Sequence, residues 1–215
     1  MNRLLSFLVP IFVVYVFAVP PQAMASQSAK QLAIKSMEEC QLGRSAEDRH
    51  IRLAHFERAQ VLAEKAVALD DKLADAHYSL FCTLGEQLRI DGETMTAVFG
   101  IRQVLAELDR TLELNPNHLN AISSKATFLV RLPSLFGGDV KKGEELLRRV
   151  IREDPTCINA RLTLAKLLAD RGDYQEAISL AAEAQQFAEQ KQQEDFIKES
   201  KRTLAQLRSK YLVSR

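Results

Sequence analysis

The sequence has no tryptophan and few residues that break helices, with 8 glycines and 6 prolines among 215 residues. So few breakers in a chain of this length favour long helices over many short strands. Alternating apolar and polar runs rich in Val, Ile and Thr are also missing, which argues against a β-sandwich or a β-barrel. We therefore expect an all-α fold.

An excess of charge of either sign is missing as well. The chain has 29 basic and 28 acidic residues, and the first 25 residues contribute only one of these, Arg3. A net charge near zero argues against nucleic acid or an anionic membrane surface as the main partner.

The residues that usually carry chemistry are few and poorly spaced. Cys40, Cys82 and Cys157 have no C-x-x-C spacing. We favour the interpretation that they are buried as small apolar residues. The alternative is one disulfide, which would leave the third thiol free. His50 and His55 are five residues apart, not the four that place two metal ligands on one helix face. The sequence contains no zinc spacing, phosphate-binding loop or nucleophile elbow. We predict no metal, no cofactor and no enzymatic activity.

Residues 1–25 have the features of a secretory signal peptide. Arg3 gives a basic start, an apolar run follows over residues 4–18, and Ala23-Met24-Ala25 forms a small-residue cleavage site. The run is short for a membrane span, which needs about 20 apolar residues. We expect a mature domain over residues 26–215 outside the cytoplasm, periplasmic or secreted. An uncleaved N-terminal membrane anchor is the alternative.

The clearest repeat lies near the C-terminus. Apolar residues recur at helical spacing over residues 159–168, and Arg171-Gly172 ends that helix. Asp173 and Glu176 have the spacing of a capping box that opens the next helix. The small residues on one face of this second helix are Ala177, Ala181 and Ala184.

This segment resembles the tetratricopeptide repeat, a helix pair with a small residue in helix A, a Gly-Asp turn and alanines in helix B. The positions that match are Pro155, Ala165, Gly172, Asp173, Tyr174, Ala177 and Ala184. Arg161 stands where the family usually has an aromatic residue. The helix ends at Pro155, Pro116 and Asp71 repeat the pattern upstream at more than the usual spacing of about 34 residues.

The resemblance and the periodicity together predict a tetratricopeptide-like helix-pair solenoid with about four helix pairs and a C-terminal capping helix. Ser45 and Asp48 are expected to form a capping box at the start of the second helix. The predicted helices cover about 28–42, 46–69, 73–89, 97–114, 118–131, 140–153, 157–170, 173–189 and 193–212.

One repeat carries an insertion, Leu132-Pro133-Ser134-Leu135-Phe136-Gly137-Gly138-Asp139. After an Asn-Pro helix end, this segment is similar to exported bacterial tetratricopeptide proteins associated with TRAP-type transporters, which implies a periplasmic solute-binding protein as partner. Gly137 and Gly138 favour a tight turn over an anion site, and Asp139 is expected to cap the next helix. The segment from Pro133 to Asp139 is therefore a candidate partner-binding loop, in which Leu135 and Phe136 either fold into the core or form an exposed patch.

The register of the resemblance also implies a concave face lined by helix-A side chains. Amide, hydroxyl and basic groups on this face suit an extended peptide or a carboxylate-bearing ligand, and ordinary exposed polar residues are the alternative. The candidate residues are Tyr78, Cys82, Glu86, Asn120, Ser123, Thr127, Arg131, Asn159, Leu162 and Lys166. His77 is expected to have a packing role, and His118 is expected to face solvent.

The first functional hypothesis is thus an exported scaffold that binds a protein. A carrier of a small apolar molecule, held in the groove or a central pore, is the alternative, and an enzyme is the least favoured interpretation. A membrane would be contacted only through an uncleaved signal segment, and a second copy of the chain stays open as a further partner.

Overall fold

The computed structural model describes residues 21–91 and 96–213, and within these ranges the regular structure is entirely helical. The α-helices are α1 (Pro21–Ser45), α2 (Arg49–Leu69), α3 (Ala74–Asp91), α4 (Thr96–Leu114), α5 (Leu119–Arg131), α6 (Val140–Glu153), α7 (Ile158–Asp170), α8 (Tyr174–Gln190) and α9 (Glu194–Val213). A 3-10 turn spans Ser134–Phe136. The prediction of an all-α fold is confirmed.

The largest boundary difference concerns the start of α1, which begins at Pro21 and not near residue 28. The proposed cleavage site therefore lies within helical backbone, whereas residues 1–20 of the proposed signal peptide lie outside the described residues. Among the helices of residues 21–91 and 96–213, none contains an apolar stretch of the length that a membrane span requires.

Two predicted capping boxes are wrong in detail. Ser45 is the last residue of α1, and Asp48 alone caps α2, where its Oδ1 accepts from the backbone N–H groups of His50 and Ile51 at 2.8 and 3.0 Å. Asp173 occupies the N-cap position of α8, but its side chain makes no capping bond. Glu176 instead accepts a hydrogen bond from Arg148 of α6 at 2.8 Å, because a helix-surface carboxylate so close to a guanidinium favours the ion pair.

Successive helices pack as the pairs α1/α2, α3/α4, α5/α6 and α7/α8, and α9 packs on α8 as a terminal helix. Small residues make this close packing achievable. On α2, Ala59, Ala63 and Ala66 are fully buried, and the corresponding face of α8 is formed by Ala177, Ala181, Ala184 and Ala188. Their spacing of three or four residues places them on one helix face, where the absence of a larger side chain lets the neighbouring helix approach.

The α8 face gives a direct test of this packing. Ala177 is fully buried and belongs to the core cluster that joins α5, α6, α7, α8 and α9. Ala177→Leu should overpack this interface and reduce the free energy of unfolding by about 1–3 kcal/mol. Thermal or urea unfolding measures the change, with the exposed Gln186→Leu variant as control. Equal stability of the two variants would show that this register is wrong.

The last helix returns to the first. Arg44 near the end of α1 pairs with Asp195 near the start of α9, with 2.8 Å between Nε and Oδ2. The two residues are separated by 151 positions in sequence. The stacked pairs therefore curve far enough to form a ring, with the odd-numbered helices on the inside.

Candidate binding cavity

The ring surrounds a cavity of about 860 Å³ that is partly open to solvent. Its walls are formed by α1, α3, α5, α7 and α9 together with the turns before α7 and α9, so each helix pair contributes its first helix. This volume lies within the usual range of ligand-binding cavities, about 300–1,000 Å³.

Most of the predicted concave-face residues line this cavity. The group comprises Tyr78, Cys82, Glu86, Asn120, Ser123, Thr127, Arg131 and Asn159. Lys166 is not among the lining residues, but its Nζ lies 2.6 Å from Oε1 of Glu199, which is one of them. Leu162 is buried in the cluster between α7, α8 and α9 and belongs to the core. The predicted positions thus come together in space, and their role in binding remains a proposal.

Several of these polar groups join the repeats to each other. The Asn159 amide donates a hydrogen bond to Ser123 Oγ at 2.9 Å, and the hydroxyls of Thr127 and Thr163 lie 3.3 Å apart. Ser123 is almost completely buried. Side chains committed to bonds between α5 and α7 fix the wall of the cavity and are less available to a ligand.

Glu86 is likewise engaged within the protein. Its Oε2 accepts from Arg89 Nη2 at 2.7 Å, and its Oε1 lies 3.7 Å from Arg44 Nη1. Glu86 therefore compensates charge on two cavity guanidiniums.

A smaller set of groups is available to a ligand. Asn120 and Arg131 are exposed on α5, and Arg202 is exposed on α9. In the described part of the chain, no hydrogen bond or ion pair engages these three side chains. Sequence reasoning missed Arg202 because it treated α9 only as a cap; the curvature that brings α9 to the cavity has no short sequence signal.

Aromatic rings form the wall between α3 and α5. The Tyr78 ring centroid lies 4.7 Å from that of His118 and 5.6 Å from that of Phe81, and the Phe81 and Phe128 centroids are 6.3 Å apart. Contacts of this kind hold the two helices together and give the cavity an apolar side next to its charged one.

The expectation that His118 faces solvent is wrong. Its Nδ1 accepts from the backbone N–H of Ala121 at 3.1 Å and so caps α5, and its Nε2 lies 3.2 Å from Asp75 Oδ1. The His118 side chain is only 10% exposed, because capping and the Tyr78 contact draw it inward.

The packing role expected of His77 is confirmed: it is buried, with Nδ1 2.7 Å from Glu107 Oε2.

All three cysteines are free thiols; Cys40 and Cys157 are buried and Cys82 is half-buried. Burial raises the pKa of Cys40 to about 12 and that of Cys82 to about 11. Since only the thiolate reacts quickly with alkylating reagents, the folded protein should be alkylated slowly at pH 8. Mass spectrometry should find rapid labelling only after unfolding in urea. Fast labelling of both thiols in the native protein would contradict these pKa shifts.

The inserted loop forms the turn that its glycines predict. α5 ends at Arg131, Gly137 has a left-handed φ of 87°, and Gly138 N–H donates to the carbonyl of Pro133 at 3.1 Å. A Cβ at Gly138 would overlap the Leu132 carbonyl oxygen, so only glycine fits there.

Within this loop, Leu135 is 86% exposed, so the alternative in which it folds into the core is wrong. The side chain of Phe136 lies outside the described residues.

Asp139 caps α6 as expected, with its Oδ1 accepting from the backbone N–H of Lys142 at 2.9 Å. Asp139→Ala should lower the free energy of unfolding by about 0.5–2 kcal/mol through loss of this cap. Asp139→Asn should retain most of the stability, because an amide oxygen can also accept the bond. Urea unfolding of the two variants measures the difference, and equal losses would contradict the capping role.

In the described ranges, no group of three or more His, Cys, Asp or Glu side chains is arranged to hold a metal ion. The site offers charged, amide, hydroxyl and aromatic groups, which suit non-covalent recognition.

Comparison with known proteins agrees with the helix-pair architecture. Residues 137–194, from the inserted loop to the start of α9, match the tetratricopeptide-repeat family. A search of the curated proteins finds no match. A thermophilic tetratricopeptide protein of Thermus thermophilus is 17% identical, with a TM-score of 0.54 over 86% of this chain and 89% of that one.

Two further solved structures are less similar in shape. YrrB, described as a tetratricopeptide protein with an unusual peptide-binding site, is 20% identical with a TM-score of 0.33, over 79% of this chain and 93% of that one. The pilF protein of Pseudomonas aeruginosa is 14% identical with a TM-score of 0.40, over 87% of this chain and 90% of that one. Residues 137–194 thus carry a tetratricopeptide repeat, and the chain shares the helix-pair fold of the Thermus thermophilus protein.

Proposed function

We propose that this chain is an exported scaffold that binds a segment of a protein partner in the cavity of the ring. The observation that carries the proposal is the cavity itself: its wall is fixed by bonds between repeats, yet it presents the exposed side chains of Asn120, Arg131 and Arg202. A fixed wall with a few unengaged polar groups is pre-organised for recognition.

The charge of the cavity indicates what the partner segment carries. Its lining includes six basic residues, namely Arg44, Arg89, Arg131, Lys191, Lys198 and Arg202, and four acidic residues, namely Glu86, Asp154, Asp195 and Glu199. Arg44 and Arg89 are compensated by Glu86 and Asp195, and Lys198 by Glu47. Glu199 pairs with Lys166, which leaves Arg131, Lys191 and Arg202 against Asp154 without an ion-pair partner in the described part of the chain. The excess of unpaired positive charge favours a segment with carboxylate groups.

For the identity of the partner we propose a periplasmic solute-binding protein of a TRAP-type transporter. Two features support this: the similarity of residues 132–139 to the corresponding segment of the exported tetratricopeptide proteins of such systems, and the exposure of Leu135 in that loop. A large exposed apolar side chain on a loop held at both ends by a helix is suited to a contact with another protein.

Site-specific photo-crosslinking in the native host tests the binding surface. p-Benzoylphenylalanine at Asn120, inside the cavity, should crosslink one defined polypeptide, which mass spectrometry then identifies. The same group at exposed Gln186 on α8, outside the cavity, is the matched control. The proposal fails if Asn120 captures no protein, or only those that Gln186 also captures.

Export is tested separately by fractionation of the host and N-terminal sequencing. The signal-like pattern of residues 1–25 leads us to expect a mature chain that starts at Ser26, recovered outside the cytoplasm. Recovery of the full-length chain from the cytosol would contradict the proposal of export.

A second candidate function is transport or storage of a small molecule with an apolar part. The aromatic wall around Tyr78 and Phe81 favours it, because an apolar side of the cavity can shield the apolar part of such a ligand from water. Native mass spectrometry of protein purified from the host distinguishes the candidates: a bound small molecule supports the carrier, and a bound polypeptide supports the scaffold.

A further inference from the structure

The ring is closed by a small set of contacts between the end of α1 and the start of α9, which we call the seam. Its members are Arg44, Glu47, Asp195, Phe196 and Lys198. Arg44 Nε donates to Asp195 Oδ2 at 2.8 Å, and the Arg44 guanidinium lies 6.0 Å from the centroid of the Phe196 ring. Lys198 Nζ lies 3.4 Å from Glu47 Oε1. The seam is therefore held mainly by two ion pairs.

The other joints between inner helices are held by apolar clusters. Cys40 and Phe56 pack with Cys82 where α1 meets α3, and Phe81 packs with Phe128 where α3 meets α5. A larger apolar cluster joins α5, α7 and α9, and a further one links α7 to α9. Within residues 21–91 and 96–213, no apolar cluster spans α1 and α9. Because separation of an apolar interface exposes hydrophobic area to water and separation of a polar one does not, the ring should open at the seam first.

The closed seam also contains an unsatisfied polar atom. Asp195 Oδ1 is buried and has no hydrogen-bond partner among the described residues, whereas Oδ2 of the same carboxylate pairs with Arg44. Separation of the seam exposes this oxygen to donors from water, so opening costs no hydrogen bond at Asp195 Oδ1. The outer pair adds little to closure, because the Glu47 and Lys198 side chains are 92% and 60% exposed.

The seam forms part of the cavity wall. Arg44 on one side and Asp195, Phe196 and Lys198 on the other all line the cavity, so their separation would widen the cavity towards solvent. We propose that the seam is a gate, which opens to admit the partner segment and closes over it. That a partner segment enters the cavity rests on the proposed function, whereas the opening of the seam is a property of the isolated chain.

Distances between spin labels test the opening without any partner. The double variant Glu47→Cys/Lys198→Cys places labels on both sides of the seam and gives up only the exposed ion pair. The native thiols should stay unlabelled because they are buried or half-buried and burial raises the pKa values of Cys40 and Cys82. Pulsed electron paramagnetic resonance should give a dominant short distance and a minor longer one.

Loss of the inner pair should shift this distribution. Arg44→Met leaves the Asp195 carboxylate buried without a cation, which is strongly unfavourable, so the longer-distance population should rise by roughly tenfold. Asp195→Asn, which removes the charge with little change of shape, serves as the second variant if Arg44→Met does not fold. Arg148→Met is the matched control, because Arg148 also bridges two acidic residues, Glu144 and Glu176, but away from the seam. Distributions of Arg44→Met and Asp195→Asn that equal that of the control would overturn the gate.

A covalent lock tests whether the gate controls access. A bis-maleimide that joins the two introduced thiols of the Glu47→Cys/Lys198→Cys variant should hold the seam closed, and the same protein capped with N-ethylmaleimide is the reference. With p-benzoylphenylalanine at position 120, locking the seam before the partner is added should reduce photo-crosslinking about fivefold or more relative to this reference. Equal capture by both forms would overturn the gate. Capture by neither form would overturn the proposed function instead, while the distance measurements would still decide whether the seam opens.

Discussion

Phe56→Ala should lower the free energy of unfolding by about 3–5 kcal/mol, the largest loss that we expect from a single substitution. Phe56 is completely buried and packs with Cys40 and Ala59 between α1 and α2. A Cβ at Gly43 of α1 would lie 2.5 Å from the Phe56 ring, so the ring fills the space that this glycine provides. Truncation leaves a cavity beneath the end of α1, next to Arg44.

Urea unfolding measures the effect, and Ile51→Ala is the control. Ile51 lies on the same helix but is 55% exposed, so its truncation should change the free energy of unfolding by no more than about 0.5 kcal/mol. Similar losses for the two variants would show that Phe56 does not occupy the core. The Phe56→Ala protein should also show a weakened seam, because its cavity removes support from the helix that carries Arg44.

Leu147→Ala should lower the free energy of unfolding by about 2–5 kcal/mol. Leu147 of α6 is completely buried in the apolar cluster that joins α6 to α5, α7, α8 and α9. Leu135→Ala is the matched control, since the same truncation is made at an 86% exposed position of the inserted loop. Calorimetric unfolding compares the two, and a large loss for Leu135→Ala would contradict its exposure.

The helices could be predicted because their signals are local. Apolar residues at helical spacing and faces of small residues such as Ala59 and Ala177 determine where helices form and how closely they pack, and the structure has them near the predicted positions. The turn at Gly137 and the cap at Asp139 could be predicted for the same reason, since both depend on a few consecutive residues.

Closure of the ring could not be predicted, because it depends on small rotations that accumulate over four helix pairs. The roles of Arg44, Asp195 and Arg202 at the cavity follow from that closure, so no local pattern reveals them. The hydrogen-bond partners of individual side chains could not be predicted either. Ser123 has the polar character expected of a binding residue, yet it accepts a hydrogen bond from Asn159 and holds two repeats together. The position of His118 also depends on a distant residue, because its ring packs on Tyr78 of α3 while its Nδ1 caps α5.

The central claim is that a protein partner with carboxylate groups binds inside the ring, next to Arg131 and Arg202. Its most direct test is photo-crosslinking through position 120 in two double variants of equal charge. Arg131→Ala/Arg202→Ala removes the uncompensated cavity guanidiniums, and Arg152→Ala/Arg208→Ala removes two exposed arginines that do not line the cavity. We predict that the first variant captures roughly tenfold less of the partner than the second. Equal capture by the two variants would contradict recognition by the cavity guanidiniums.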